Sequence, residues 1–212
     1  MFDIEYKGAN SVVINTKKVS LVFDPKLSLV GLEDLSIKGA VGLATEPKYS
    51  INSADARLTI TGPGEYGVAD ADITGVATTH HLDSPDSYPT ATIYTVAIGD
   101  VRIGVIGNVG TSFSDTLLEE LGMLDVVILP VGGGGITLNA AEASTIVRSI
   151  GPKVVIPVHY ADKSIKYEAQ QDNLDVFVKA LGAPLETTPK YKLKRSIELP
   201  PSLTIFELTR TS

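Results

Sequence analysis

Over the first hundred residues, apolar and polar positions follow the period of β-strands. Phe2, Ile4 and Tyr6 alternate with Asp3 and Glu5, the pattern of a strand buried on one face. Ser11 to Asn15 and Ser20 to Phe23 are short and rich in β-branched residues. Asp24-Pro25 ends the latter, because proline cannot continue a ladder. Further strands are predicted over Ala40 to Ala44, Arg57 to Thr61, Ala71 to Thr78, Ala91 to Ile98 and Val101 to Ile106. Gly99-Asp100 forms a two-residue hairpin loop, and Gly62-Pro63-Gly64 a tight turn.

Beyond residue 107 the pattern becomes an alternation of helix and strand. Ser114 caps a short helix that stops at Gly122, and Val126 to Leu129 follow as a continuous apolar strand. Asn139 with Glu142 forms a capping box for a helix ending at Gly151. Val154 to Val158 make the next buried strand, Asp172 caps a helix through Leu181-Gly182, and Leu203 to Leu208 close the chain. Runs that are apolar on both faces require sheets covered on both sides. The expected architecture is therefore α/β, with two sheets and outer helices.

Composition narrows the function. The chain has 212 residues, 43% hydrophobic and 20% charged, which suits one globular domain over residues 1–212. No apolar run approaches the roughly 18–20 residues that span a bilayer, and Met1 to Glu5 lack the features of a signal peptide. A soluble cytoplasmic protein with no membrane partner is expected. A net charge of −7 disfavours a polyanionic partner, so nucleic acid is unlikely on this ground. Lys190 to Arg195 is the densest basic stretch, but alternating charge on a strand usually marks a solvated face. With no cysteine, any transition metal must rely on His and carboxylate ligands.

The three histidines, His80, His81 and His159, all follow predicted strands, and Asn108 stands in the same relation to the strand before it. In α/β architectures the C-terminal ends of strands gather ligand-binding loops on one edge. The simpler reading of each histidine is a strand-end residue bonded to backbone.

Five motifs in order carry a resemblance. They are Val22-Phe23-Asp24-Pro25, Gly62-Pro63-Gly64-Glu65-Tyr66, Gly107-Asn108-Val109-Gly110, Pro130-Val131-Gly132-Gly133 and Pro157-Val158-His159-Tyr160. Over nearly its whole length the chain resembles the metallo-β-lactamase superfamily, in the zinc-dependent hydrolase branch related to sugar-lactone hydrolases. The resemblance implies a four-layer αββα sandwich. It also implies that the strand ending at Ala44 leads into a His-x-His-x-Asp-His loop that binds two metals. Here that loop reads Thr45-Glu46-Pro47-Lys48-Tyr49-Ser50, and none of the four ligand positions keeps its residue. His80 and His159 match later ligands of the family, whereas the bridging Asp is Asn108, a weaker neutral ligand, and the early Gly-His-Ser motif reads Gly8-Ala9-Asn10-Ser11.

A catalytic zinc needs about three protein ligands and a water. His80 and His159 supply two, with Glu46, His81 or Asp83 as candidates for a third and Asn108 as a weak one. The expected cofactor is none, or one divalent metal, zinc by preference. Thr45, Glu65, Gly132 and Gly133 are expected to line the cleft. A metal-free site would use His80 or His159 as general base, oriented by Asp83 or Glu65. No nucleophile motif supports Ser50 or Ser84. The leading expectation is a fold relative with a degenerate metal site that acts as a binding or interaction protein, its partner an unknown small molecule or protein. The alternative is an ester, lactone or phosphoester hydrolase with a single metal at His80 and His159. A third expectation is a structural role in an assembly, a homo-oligomer among them.

Overall fold

The structure, a computed structural model, describes residues 1–82 and 90–211. Asp83 and Ser84 lie outside the described residues.

Strands β1 (Phe2–Gly8), β2 (Ser11–Asn15), β3 (Ser20–Phe23), β4 (Val41–Leu43) and β5 (Leu58–Ile60) come first in the chain. They are followed by β6 (Gly64–Val68), β7 (Ala71–Thr78), β8 (Ala91–Ile98) and β9 (Val101–Val105). The second half alternates α1 (Asp115–Leu121), β10 (Val126–Pro130), α2 (Ala140–Ile150), β11 (Val154–Val158) and α3 (Leu174–Leu181), then closes with β12 (Leu185–Thr188), β13 (Tyr191–Leu193) and β14 (Thr204–Leu208). One sheet has the order β13-β1-β2-β3-β4-β5 and the other β12-β14-β11-β10-β9-β8-β7-β6. Sheets with helices in this arrangement form the α/β sandwich expected of the fold.

Period-two patterning makes the interface between the sheets. Phe2, Ile4 and Tyr6 of β1 are buried while Asp3 and Glu5 stay half-exposed, and the buried set packs with Tyr94, Val96, Ile103, Ile128 and Ile156 of the opposite sheet. Strands β10 and β11 are buried on both faces because α2 and α3 cover their outer side through Ala143, Ile146, Val147 and Phe177. Over the first sheet the outer layer is thinner. It consists of 3-10 turns at Leu27–Val30 and Pro47–Tyr49 and a loop that presses Ile37 and Ala40 onto Val22.

Helix ends follow the sequence closely. Ser114 accepts the Leu117 N–H, and the Asn139–Glu142 box is complete, with Gly151 left-handed at the C-cap. One cap differs from expectation: α3 starts after Asn173, not Asp172, and no side chain caps it. Asp172 is instead held by its backbone, donating N–H to Gly132 O and accepting from Ala161 N–H. Gly64–Val68, which the sequence pattern does not mark as a strand beyond the turn at Gly62-Pro63-Gly64, pairs with β7 as an edge strand. No helix among the described residues is long and apolar enough to cross a membrane.

Phe177 is fully buried between α2, α3 and the second sheet. Phe177→Ala is expected to lower unfolding free energy by about 3–5 kcal/mol through lost burial and a residual cavity, read as a lower urea midpoint at unchanged slope.

Candidate functional site

The C-terminal ends of β4, β7, β9 and β11 meet at one edge of the sandwich. Residues 79–82 run beside 107–110: His80 bridges Val109, the His81 N–H donates to Asn108 O, and the Gly110 N–H donates to Thr79 O. This pairing brings His80 and Asn108 together across 28 residues of sequence. Gly107 lets the same loop approach β4, since a Cβ there would lie 2.4 Å from Thr45 Oγ1.

From the other sheet, Asp24 follows β3 at φ +48° and anchors the loop after β4. Its carboxylate accepts Thr45 N–H and Thr45 Oγ1–H, both at 2.7 Å. Burial pushes the Asp24 carboxyl up to about 7, although both Thr45 bonds oppose the shift. Ala9 and His159 also take left-handed φ values, +46° and +51°, and the His159 N–H donates to Ala9 O. Three of the four non-glycine residues with positive φ among the described residues thus surround one site, and strained backbone of this kind clusters at functional sites in general.

Glu46 lies at the centre. Its Oε2 is 3.1 Å from Lys48 Nζ and 3.4 Å from His80 Nε2, and its Oε1 accepts from Asn108 Nδ2 at 3.4 Å. Asn108 Nδ2 also donates to Tyr49 OH at 2.8 Å, and Asn108 Oδ1 accepts from Asn10 Nδ2 at 2.9 Å. Burial, with the charges of Glu46 and Asp24, holds the Tyr49 phenol far above its usual range. A small cavity of about 20 Å³ separates Asn10, Asp24, Tyr49 and His159. A larger cleft of about 140 Å³ opens outward, lined by Lys48, Tyr49, His80, Asn108, His159 and Glu168 among others.

The two histidines differ in what they offer. His80 Nδ1 accepts the Leu82 N–H at 3.2 Å, so its proton sits on Nε2, which faces Glu46. That occupies the lone pair a metal would need. His159 Nδ1 lies 3.2 Å from Gln171 Oε1, and Gln171 Nε2 donates to Ala169 O, which fixes the amide's orientation. Nδ1 therefore carries the proton, and Nε2 keeps a lone pair. Burial pulls His159 down to about 4, so the ring is neutral near pH 7.

These contacts test the fit of a metal centre. An amide N–H of Asn108, not an oxygen, faces Glu46, and Lys48 supplies a cation beside it. Among the described residues no three His, Asp or Glu side chains gather to hold an ion. The described residues do not fit a dinuclear centre, and of the two histidines only His159 presents an open lone pair.

The remaining sequence candidates lie around this core. His81 turns to Val109 O through Nδ1. Thr45 is buried behind the cleft, fully engaged by Asp24. Gly132 packs against the backbone of His159, where a Cβ would come within 2.3 Å of the carbonyl oxygen, and Gly133 packs against Asn139. Glu65 is exposed on edge strand β6, paired with Thr74. None of Thr45, Glu65, Gly132 and Gly133 lines the outer cleft, because the first is covered by Asp24 and the others face different neighbours. Ser50 ends the 3-10 turn at Pro47–Tyr49, its N–H on Pro47 O. Sequence reasoning passed over Tyr49 as a lost ligand, over Asn10 as a lost motif, and over Gln171 and Glu168 altogether. Only their spatial convergence reveals them.

Comparison with known proteins agrees with this geometry at the level of fold. The profile of the β-lactamase superfamily domain matches residues 3–159, most of the chain. The chain belongs to this superfamily. A structure from Thermotoga maritima, described as a "putative Zn-dependent hydrolase of the metallo-β-lactamase superfamily", superposes with a TM-score of 0.74 at 21% identity, covering 99% of this chain and 100% of that one. Igni18, a metallo hydrolase from Ignicoccus hospitalis, gives 0.66 at 14% identity over 99% and 95% of the two chains. Among curated relatives, a UPF0173 protein of Pyrococcus furiosus is 34% identical over 89 residues, 39% of this chain and 41% of that protein. A UPF0173 metal-dependent hydrolase of Natranaerobius thermophilus is 37% identical over 84 residues, 35% of this chain and 37% of that protein. The matched stretch thus spans only about two fifths of the length of these relatives.

Asp24 makes a pH prediction. Its folded value lies above the unfolded one, so the native state holds a proton that the unfolded chain has lost between about pH 4 and 7. The stability it contributes is present at low pH and is lost as pH rises through about 7. Asp24→Asn should therefore gain stability relative to the parent across that window, by up to about 4 kcal/mol, measured by urea unfolding at pH 4.5 and 7.5.

Proposed function

We propose that this chain keeps the metallo-β-lactamase fold and its cleft but works without the dinuclear metal centre, as a binding protein. One observation carries the reading. Glu46, the acidic residue of the altered loop, is already engaged by Lys48, His80 and Asn108, and Asn108 is itself held by Asn10. The charge that a metal would neutralise is met by a lysine ammonium, and the bridging position offers an amide donor. The partner is a small molecule sized to the outer cleft.

The names of the relatives favour a second reading, a metal-dependent hydrolase of esters, lactones or phosphoesters with one divalent ion. Zinc on His159 and His80, with an acidic residue as third ligand, is the form this reading takes. It requires His80 to release the Leu82 N–H and Glu46 to release Lys48. Nothing in the described hydrogen bonding prepares either step.

Elemental analysis of protein purified without chelators separates the two. The first reading expects far less than one zinc per chain and an unchanged melting temperature when zinc is added. The second expects about one zinc per chain and stabilisation of roughly 2.7 kcal/mol at a hundredfold excess over Kd, lost in His159→Ala. Stoichiometric zinc with hydrolysis that depends on His159 would overturn the first reading.

A further inference from the structure

The outer cleft carries two charges of opposite sign that do not pair with each other. Lys48 and Glu168 are both exposed and both line it. Lys48 Nζ makes its one described ion pair with Glu46, and it sits 4.9 Å from the centre of the Tyr49 ring, which fixes its position. An ammonium has three donors, so two remain free for a ligand. The Glu168 carboxylate has no hydrogen-bond or ion-pair partner among the described residues, and it lines the same cleft. Leu29, Val30, Leu82 and Ile136 also line the cleft and give it apolar surface for a short aliphatic group.

We propose that the cleft takes a zwitterion, a small α-amino acid, with its carboxylate on Lys48, its ammonium on Glu168 and its side chain against the apolar surface. The inference rests on the metal-free reading of the site. Size and charge both select the ligand. The cleft's volume of about 140 Å³ is well below the roughly 300–1,000 Å³ of pockets for drug-sized ligands. Lys48, with donors beyond its bond to Glu46, favours an anionic group, and Glu168 favours a cationic one. A ligand bearing both charges meets both groups. His159 and Tyr49, neutral near pH 7, add hydrogen-bonding groups without altering this charge pattern.

Three probes share one side chain: L-valine, 3-methylbutanoate (which lacks the amino group) and isobutylamine (which lacks the carboxylate). Isothermal titration should show valine binding about tenfold or more tighter than either analogue. Lys48→Met should weaken valine and 3-methylbutanoate but leave isobutylamine no weaker, and Glu168→Gln should do the converse. Both side chains are exposed, so circular dichroism should find both variants folded. Equal affinity for valine and one analogue would overturn the proposal. So would variants that bind valine like the parent, or no saturable binding of valine to folded protein. Zinc content measured on the same sample keeps the two readings apart. Valine binding of this pattern alongside stoichiometric zinc would overturn the metal-free reading alone, whereas zinc-free protein that ignores valine would overturn only the ligand assignment.

Discussion

A buried hydrogen bond between two asparagines ties the two sheets together where the cleft forms. Asn10 belongs to the turn between β1 and β2, Asn108 to the loop after β9, and both are almost wholly buried. A buried amide left without a partner costs about 1–3 kcal/mol, so each side chain constrains the loop that carries the other. Asn108 then orients Glu46 and Tyr49, and Glu46 orients Lys48 and His80. The positions of Glu46, Tyr49, Lys48 and His80 follow from that contact outward, whereas Asp24 and His159 are held separately by Thr45 and Gln171.

Under the proposed metal-free reading, protein groups alone balance the charge of the site. Glu46 and Asp24 bring carboxyl groups into the interior of the sandwich edge. Isolated carboxylates there would be strongly disfavoured. Glu46 is neutralised by Lys48 and by two further donors. Asp24, with only the two Thr45 bonds, is pushed up to about 7. His159 stays neutral. The site's interior therefore carries little net charge although it is built from residues that ionise freely in water, and the carboxylate of Glu168 lies at its mouth.

Much of the fold was legible in the sequence. Alternation identified β1, turn residues bounded the strands, and the Asn139–Glu142 box located α2, because these signals depend on neighbours within a few residues. The order of motifs pointed to the fold, and the same superfamily is found by comparison over residues 3–159. Less legible were the start of α3, where backbone bonds to Gly132 and Ala161 override the capping tendency of Asp172, and the edge strands β6 and β12, whose hydrophobic pattern is weak.

The sequence by itself determined which side chains stand at the positions where the resemblance implies metal ligands. Residue identity decides which ligand atoms exist there, and those positions hold Thr45, Pro47, Tyr49, Ser50 and Asn108. Only the tertiary structure decided what the surviving residues do. Whether His80 can bind a metal depends on which of its nitrogens is already bonded, and that is set by Leu82 and Glu46. Whether Glu46 is a ligand or half of an ion pair depends on where Lys48 reaches. Partnership of this kind is a matter of distances between groups remote in sequence, and no local pattern encodes it.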